Sequence, residues 1–396
     1  MHIPSEKIRK EMYSENASIW YSFANGGEEL AVLIKVPTLT IKSLIMGCPL
    51  TLTFGKKDIY FCTGVEIKDI PEKGVLVSGI QHEFDQHEAL LQVLKKRKFP
   101  LFLFNEADFC VAWTNCEIIE TDSNKLIDFM GDIGKLYVGP HTEETNYALD
   151  CFCNSIEGVI RYANAPLIPI IKIEPKIDKW TINNLHFFGF ENLESVSIDD
   201  KDEGETFERI IWVSLQSVFP TTLYKNPQTI SGEKRREFVD VLSFYECGSF
   251  LFEAKDLSVL NAGITLDMDR RVKNLKKQIK KAINQLVGAT KVFKNGELIT
   301  NQRGQELIIS RKNPPHCIIL VTELLMLDDY SEVVDKLLQA THKTGAYFHI
   351  LDLRELISLL KGSSGNPYLL DYNLINRYRF LVKNRTISIR GVPAPK

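Results

Sequence analysis

A chain of 396 residues is longer than one hydrophobic core usually grows, so two or three domains are expected. With 44% hydrophobic and 25% charged residues, 23 Gly and 16 Pro, the composition excludes wholesale disorder. A net charge of −3 excludes a uniformly basic nucleic-acid coat, and no stretch approaches the roughly 18 uninterrupted apolar residues of a membrane span.

The opening residues, MHIPSEKIRKEMYSENASIW, show no basic start followed by an apolar run, so an unsecreted, membrane-free protein is expected. Eight cysteines spread from Cys48 to Cys317 do not form the dense framework of a small secreted domain, and reduced thiols fit a cytoplasmic location. The charge is uneven. Residues 1–169 hold 16 Lys+Arg against 23 Asp+Glu, whereas residues 270–312 hold 12 against only Glu297 and Glu306. A basic stripe on a near-neutral chain is the footprint expected of phosphate contact.

Residues 1–170 read as a β-rich α+β domain for recognition or regulation. Strand patterns fall at 29–36, 50–67, 74–80 and 99–104, the second a hairpin turning through Gly55-Lys56-Lys57-Asp58. Helices are expected at 83–98 and 145–162, and this half carries no motif with chemistry. His82 and His87, with no second pair of ligands, read as the start of a surface helix, and Cys151-x-Cys153 likewise completes no zinc site. Residues 171–204 end in an acidic, turn-rich stretch and are taken as a connecting segment.

From residue 205 to 396, helix and strand alternate. FERIIWVSLQSVF (207–219) carries an apolar stripe at helical spacing; EFVDVLS (237–243) and SFLFEAK (249–255) read as a hairpin turning near Gly248. A long helix from Arg270 to Phe293 follows, then strand 316–324, helix 331–343, strand 346–353 and helix 354–362. This order, α-β-β-α-β-α-β-α, predicts an α/β domain with a mixed sheet flanked by helices.

On a strand, residues two apart share a face, so Glu253 and Lys255 point the same way, and the hairpin brings Asp240 beside them. A Glu-x-Lys taken alone is an exposed ion pair. Here the charges stand among Phe238, Val239, Val241, Leu242, Phe252 and Ala254, where burial is costly unless a partner or a metal compensates. Hard divalent ions such as Mg²⁺ or Mn²⁺ take carboxylate oxygens, which suits Asp240 and Glu253. A lysine alongside can orient or deprotonate an attacking water and offset developing charge, which suits Lys255.

The pattern of Asp240, twelve residues, then Glu253-Ala254-Lys255 on a hairpin, after a glutamate-bearing helix and before a long helix with glutamines, resembles the PD-(D/E)XK nuclease superfamily. The likeness is to restriction-endonuclease-like and nuclease-related domains. It covers roughly residues 205–355 and departs from the family at Val239, which stands where the motif's proline would be. It implies a restriction-endonuclease-like fold, Asp240 and Glu253 as ligands of Mg²⁺ or Mn²⁺, and Lys255 as the catalytic lysine. It further implies Glu208 as an additional metal or water ligand, with Glu205 the alternative, and a glutamine of the long helix in the site, Gln285 ahead of Gln278.

The run RRVKNLKKQIKK (270–281) holds seven basic residues and no acid. A solvated helix face explains such a run equally well. Beside the site it implies phosphate contact by Arg270, Arg271, Lys273, Lys277 and Lys281, with Arg377 and Arg379 as an extension. The expected function is a Mg²⁺/Mn²⁺-dependent endonuclease cleaving DNA, in bacterial restriction or anti-phage defence. A protein partner or a second copy would bind through the N-terminal domain. The alternative is a catalytically inactive nuclease-fold module that binds nucleic acid or acts as an adaptor in a larger complex.

Overall fold

In a computed structural model the described residues are 4–24, 29–69, 74–157, 165–188, 193–231, 234–255, 268–322, 324, 329–387 and 389. The chain is mixed α/β and divides into two compact units, Met1–Asn184 and Leu185–Lys396. Among the described residues no helix is long and apolar enough to cross a membrane.

The first unit runs α1 (Glu6–Ser14), β1 (Ser18–Ala24), β2 (Glu29–Lys35), α2 (Thr38–Ile45), β3 (Leu50–Lys57), β4 (Tyr60–Ile67), β5 (Val75–Gln81) and α3 (Phe84–Lys96). It continues with β6 (Lys98–Phe104), β7 (Cys110–Glu117), α4 (Glu120–Met130), α5 (Glu143–Glu157), β8 (Ile170–Ile173), β9 (Lys176–Ile177) and β10 (Thr181–Ile182). One sheet has the order β1-β2-β6-β7-β10, with β9 also on β7, and the other β5-β4-β3-β8. The β3–β4 hairpin turns later than expected: Lys57 pairs with Tyr60, and Asp58 at φ 56 makes the turn. Gly55 lies inside the strand because Phe152 of α5 packs on it, and an added Cβ would stand 2.5 Å from that ring. Helices α1, α2 and α4 exceed the sequence reading. The segment 171–204, expected as a connection, supplies strands to both units.

The second unit contains β11 (Leu185–Phe188), β12 (Leu193–Val196), α6 (Glu203–Leu215), β13 (Leu223–Lys225), β14 (Gln228–Ser231), β15 (Lys234–Glu237), β16 (Val241–Phe244) and β17 (Ser249–Lys255). Then come α7 (Met268–Lys294), β18 (Ile299–Thr300), β19 (His316–Val321), α8 (Ser331–Thr344), β20 (Tyr347–Asp352), α9 (Leu353–Ser363) and α10 (Pro367–Asn384). The central sheet, β13-β16-β17-β19-β20, is antiparallel through β17 and parallel from β17 to β20. This is the mixed sheet the sequence predicts.

On one face of that sheet Leu251, Cys317, Ile319 and Ile350 meet Leu275, Ile279, Ile283 and Leu286 of α7 and Val333 and Leu337 of α8. The expected strand 237–243 is two elements. β15 pairs with β14 in a small sheet, the chain bends over 238–240, and β16 then joins the central sheet. Phe238 and Val239, buried at the bend, anchor the change of sheet. Helix α6 begins earlier than expected because Asp202 caps it, accepting a hydrogen bond from the Glu205 amide at 3.0 Å.

Candidate active site

The bend before β16 fixes Asp240. Its carbonyl accepts from the Asn226 amide at 2.8 Å, and the Phe238 amide donates to the Pro227 carbonyl at 2.8 Å, so the backbone is held on both sides. Val241 pairs with Phe252, which leaves Asp240 facing Glu253 at the end of the ladder. Asp240 Oδ2 accepts a hydrogen bond from the Ala254 amide at 2.6 Å, aiming the carboxylate across the strand pair. Lys255 Nζ lies 2.9 Å from Glu253 Oε2 and 3.7 Å from Asp240 Oδ2. The three residues expected to converge do so, all largely shielded from water.

Two glutamates join them. Burial, then repulsion from Asp240, pushes Glu208 on α6 up to about 7, with Lys225 and Lys255 opposing. Glu205 is ion-paired with Arg209 at 2.6 Å and with Lys225 at 3.6 Å on the exposed side of the helix, whereas Glu208 is the glutamate whose charge interacts with Asp240 and Lys255. Glu237, at the end of β15, is raised by desolvation and then by the charge of Asp240. Glu253 itself is pushed up to about 7 by burial and then by Asp240. Burial works against the charge on Lys255, yet Glu253 and Asp240 outweigh it and raise the ammonium above its ordinary value. Negative charge is therefore crowded here beyond what the lysines balance.

Beside this cluster lies a cavity of about 330 Å³, lined by Arg236, Glu237, Asp240, Glu253, Asn284 and Gln285. Val239, Ala289 and Val292 form its apolar part. Of the two glutamines, Gln285 reaches the cavity and Gln278 does not line it. Helix α7 ties this wall to the basic run. At 3.6 residues per turn Arg270, Lys273, Lys277 and Lys281 share one face, and that face continues to Asn284, Gln285 and Gly288. All four basic residues are exposed. Among the described residues Lys273, Lys277 and Lys281 enter no ion pair, whereas Lys280 pairs with Glu332 and Lys276 lies over the Tyr330 ring at 5.5 Å. The side chain of Arg271 lies outside the described residues.

Arg236, Glu237, Asn284 and Lys225 escaped the sequence reading. The signal for the first two was KRRE (234–237) directly before Asp240, two arginines and a glutamate on a strand leading into the site. Asn284 is visible only once the helix face is known.

Other readings need correction. Arg377 is no part of a basic surface: it is 1% exposed, donates to Glu355 at 2.6 Å and to the Ile350 carbonyl at 2.7 Å, and locks α9 to α10. His87 is buried rather than at the surface, its Nε2 3.1 Å from the Tyr137 carbonyl, while His82 Nδ1 is 3.1 Å from the Gly139 carbonyl. All eight cysteines are free thiols, Cys151 buried and Cys153 near Ser78.

Among the described residues no three His, Cys, Asp or Glu side chains stand together as a ready metal-ligand group. Mg²⁺ asks for less, since it is typically held by one or two carboxylates with waters and substrate phosphates. Asp240 and Glu253 offer that pair, hard oxygens at the edge of a cavity with Lys255 beside both. Compared with protein-family models, with curated proteins and with solved structures, the chain matches none of them.

Proposed function

We propose that the unit Leu185–Lys396 is a Mg²⁺- or Mn²⁺-dependent nuclease that hydrolyses DNA phosphodiester bonds at the cavity edge formed by Asp240 and Glu253, with Lys255 beside them. One observation carries the reading. Lys255 Nζ lies 2.9 Å from Glu253 and 3.7 Å from Asp240, and those two carboxylates line a cavity whose helical wall, α7, extends into a basic stripe. Carboxylates alone repel a phosphodiester, and cations alone would bind one without activating water. The combination suits hydrolysis.

Asp240 and Glu253 would hold the ion. When bound, such an ion offsets charge on the phosphoryl oxygens and makes a water a better nucleophile. The chain's own groups do the rest. The Asp240 carboxylate is aimed by the Ala254 amide, so its direction does not depend on a side-chain rotamer alone. Lys255 is held as an ammonium, which suits it to steady the water and the developing negative charge and not to take the water's proton. Gln285, Asn284 and Arg236 line the same cavity, where the amides would bind substrate polar groups and the guanidinium a phosphate oxygen. In the reaction the water oxygen bonds to phosphorus, the bond from phosphorus to one sugar oxygen breaks, and that oxygen takes up a proton. The basic face of α7 tracks the backbone beside the cut.

The test is cleavage of plasmid, linear duplex and single-stranded DNA, and of RNA, with Mg²⁺, Mn²⁺ or EDTA. Lys255→Ala and Asp240→Ala should each lower turnover by on the order of 10²–10³ or more while binding in EDTA persists. Variants that cut as well as the parent would refute the assignment. Binding without cleavage in every metal would instead favour an inactive nucleic-acid-binding module.

A further inference from the structure

A second cavity of the same unit, about 310 Å³, opens where α6, β13 and the loop 301–303 meet. Its size is at the lower end of ligand pockets, roughly 300–1,000 Å³. Trp212, Tyr224, Gln216, Gln302, Lys225 and Arg303 are among its lining residues, which bring aromatic, amide and cationic side chains to one place. Its carboxylate, Glu194, is ion-paired with Arg209 at 3.6 Å, and Lys225 is itself 3.6 Å from Glu205.

The walls are fixed before anything binds. Tyr224 stacks on Phe244 with ring centroids 5.8 Å apart and planes 12° from parallel. In the loop, Asn301 Oδ1 accepts from the amides of Arg303 at 3.0 Å and Gln305 at 2.9 Å, and Gln302 Nε2 donates to the Lys225 carbonyl at 3.3 Å. Lys225 also links this cavity to the carboxylates, because its charge acts on Glu208 and Glu237.

We infer that this cavity receives the base of an unpaired nucleotide, adjacent in the same strand to the phosphodiester held at Asp240 and Glu253; the inference rests on the nuclease reading above. Flat rings offer stacking to any base, amides match the edges that base pairing would occupy, and Lys225 and Arg303 suit the flanking phosphates. A paired base cannot present its edge to a pocket of this size without leaving the duplex stack. The substrate class that follows is single-stranded DNA, or duplex with an overhang, fork or flipped base.

The experiment measures binding in EDTA to a single-stranded oligonucleotide carrying 2-aminopurine and to a blunt duplex of the same sequence, with cleavage followed separately in Mg²⁺ and Mn²⁺. The parent protein should quench the 2-aminopurine. Gln302→Ala/Arg303→Ala, both exposed loop positions, should abolish the quench and lower the single-strand to duplex affinity ratio about tenfold. If the parent cleaves DNA but shows no quench, or the double variant leaves the ratio unchanged, the base-binding site is overturned and the nuclease reading stands. If nothing is cleaved in either metal but the quench and its loss in the variant persist, the cavity keeps its base and the nuclease reading falls.

Discussion

Glu253→Gln should make the protein more stable at alkaline pH while removing its cleavage activity. The buried Glu253 carboxyl ionises at about 7 in the folded chain instead of at its ordinary 4.5. The unfolded chain therefore releases this proton first, and the fold loses stability as pH rises from 4.5 through about 7. At 1.36 kcal/mol per unit, a displacement of that size puts the full penalty at about 3 kcal/mol above pH 8. Glutamine keeps the shape and carries no charge, so the variant should gain about 3 kcal/mol at pH 8 and almost nothing at pH 4.5. For a domain of this size that is about 6–12 °C in the melting temperature of the C-terminal unit. Thermal unfolding from pH 4.5 to 8.5 in EDTA checks it. Adding Mg²⁺ should then narrow the gap at pH 8, because the ion stabilises only the chain that retains Glu253. A variant less stable than the parent at pH 8, or a gain independent of pH, would refute the electrostatic account.

Along α7, Lys277→Ala and Lys281→Ala should weaken DNA binding whatever the sequence, and each lost phosphate contact should reduce the slope of log affinity against log salt by about 0.9, measured by anisotropy over a salt series. Gln285→Ala should lower turnover about tenfold, while Gln278→Ala, outside the cavity, should leave it unchanged in the same assay. Arg377→Met should destabilise the fold by about 3–5 kcal/mol in urea unfolding, because it removes the buried guanidinium and its two hydrogen bonds to the Glu355 carboxylate. DNA affinity per folded molecule should not change, as Arg377 has no exposed surface to offer.

The central triplet was legible because strands follow simple rules. Alternation put Glu253 with Lys255, and one turn brought Asp240 across. The chain between residues 226 and 240 was not legible, since β14 and β15 leave the central sheet at a bend that local pattern does not encode. Arg236 and Glu237 were hidden by that bend: on an uninterrupted strand they would have led away from the cavity. Arg377 shows the opposite error. A charged residue on an amphipathic helix looks solvated until Glu355 and the Ile350 carbonyl are found beneath it. The glutamine choice was half legible, because both candidates flank the same stripe and only the distance along α7 separates them.

The crowding around Asp240 is hard to explain as scaffolding. A buried ion pair contributes little net stability compared with apolar residues of the same shape, and an uncompensated buried carboxylate lowers it. Glu208, Glu237 and Glu253 all hold protons more tightly than isolated glutamates, each with Asp240 among the causes. The folded chain thus gives up stability to keep Glu208, Glu237 and Glu253 within electrostatic reach of Asp240, with Lys225 and Lys255 only partly offsetting them. A bare polyanion would be repelled from such a place, yet the exposed lysines of α7 lead toward it along the helix face that lines the cavity. On the nuclease reading, a divalent cation would resolve the conflict by satisfying the carboxylates and letting a phosphate approach. This makes a joint expectation that a binding module of the same fold would not share. Mg²⁺ should raise both the melting temperature in the absence of DNA and the affinity for DNA, and Asp240→Asn should remove both effects together. Loss of one effect without the other would mean that the carboxylates and the basic face serve different ligands.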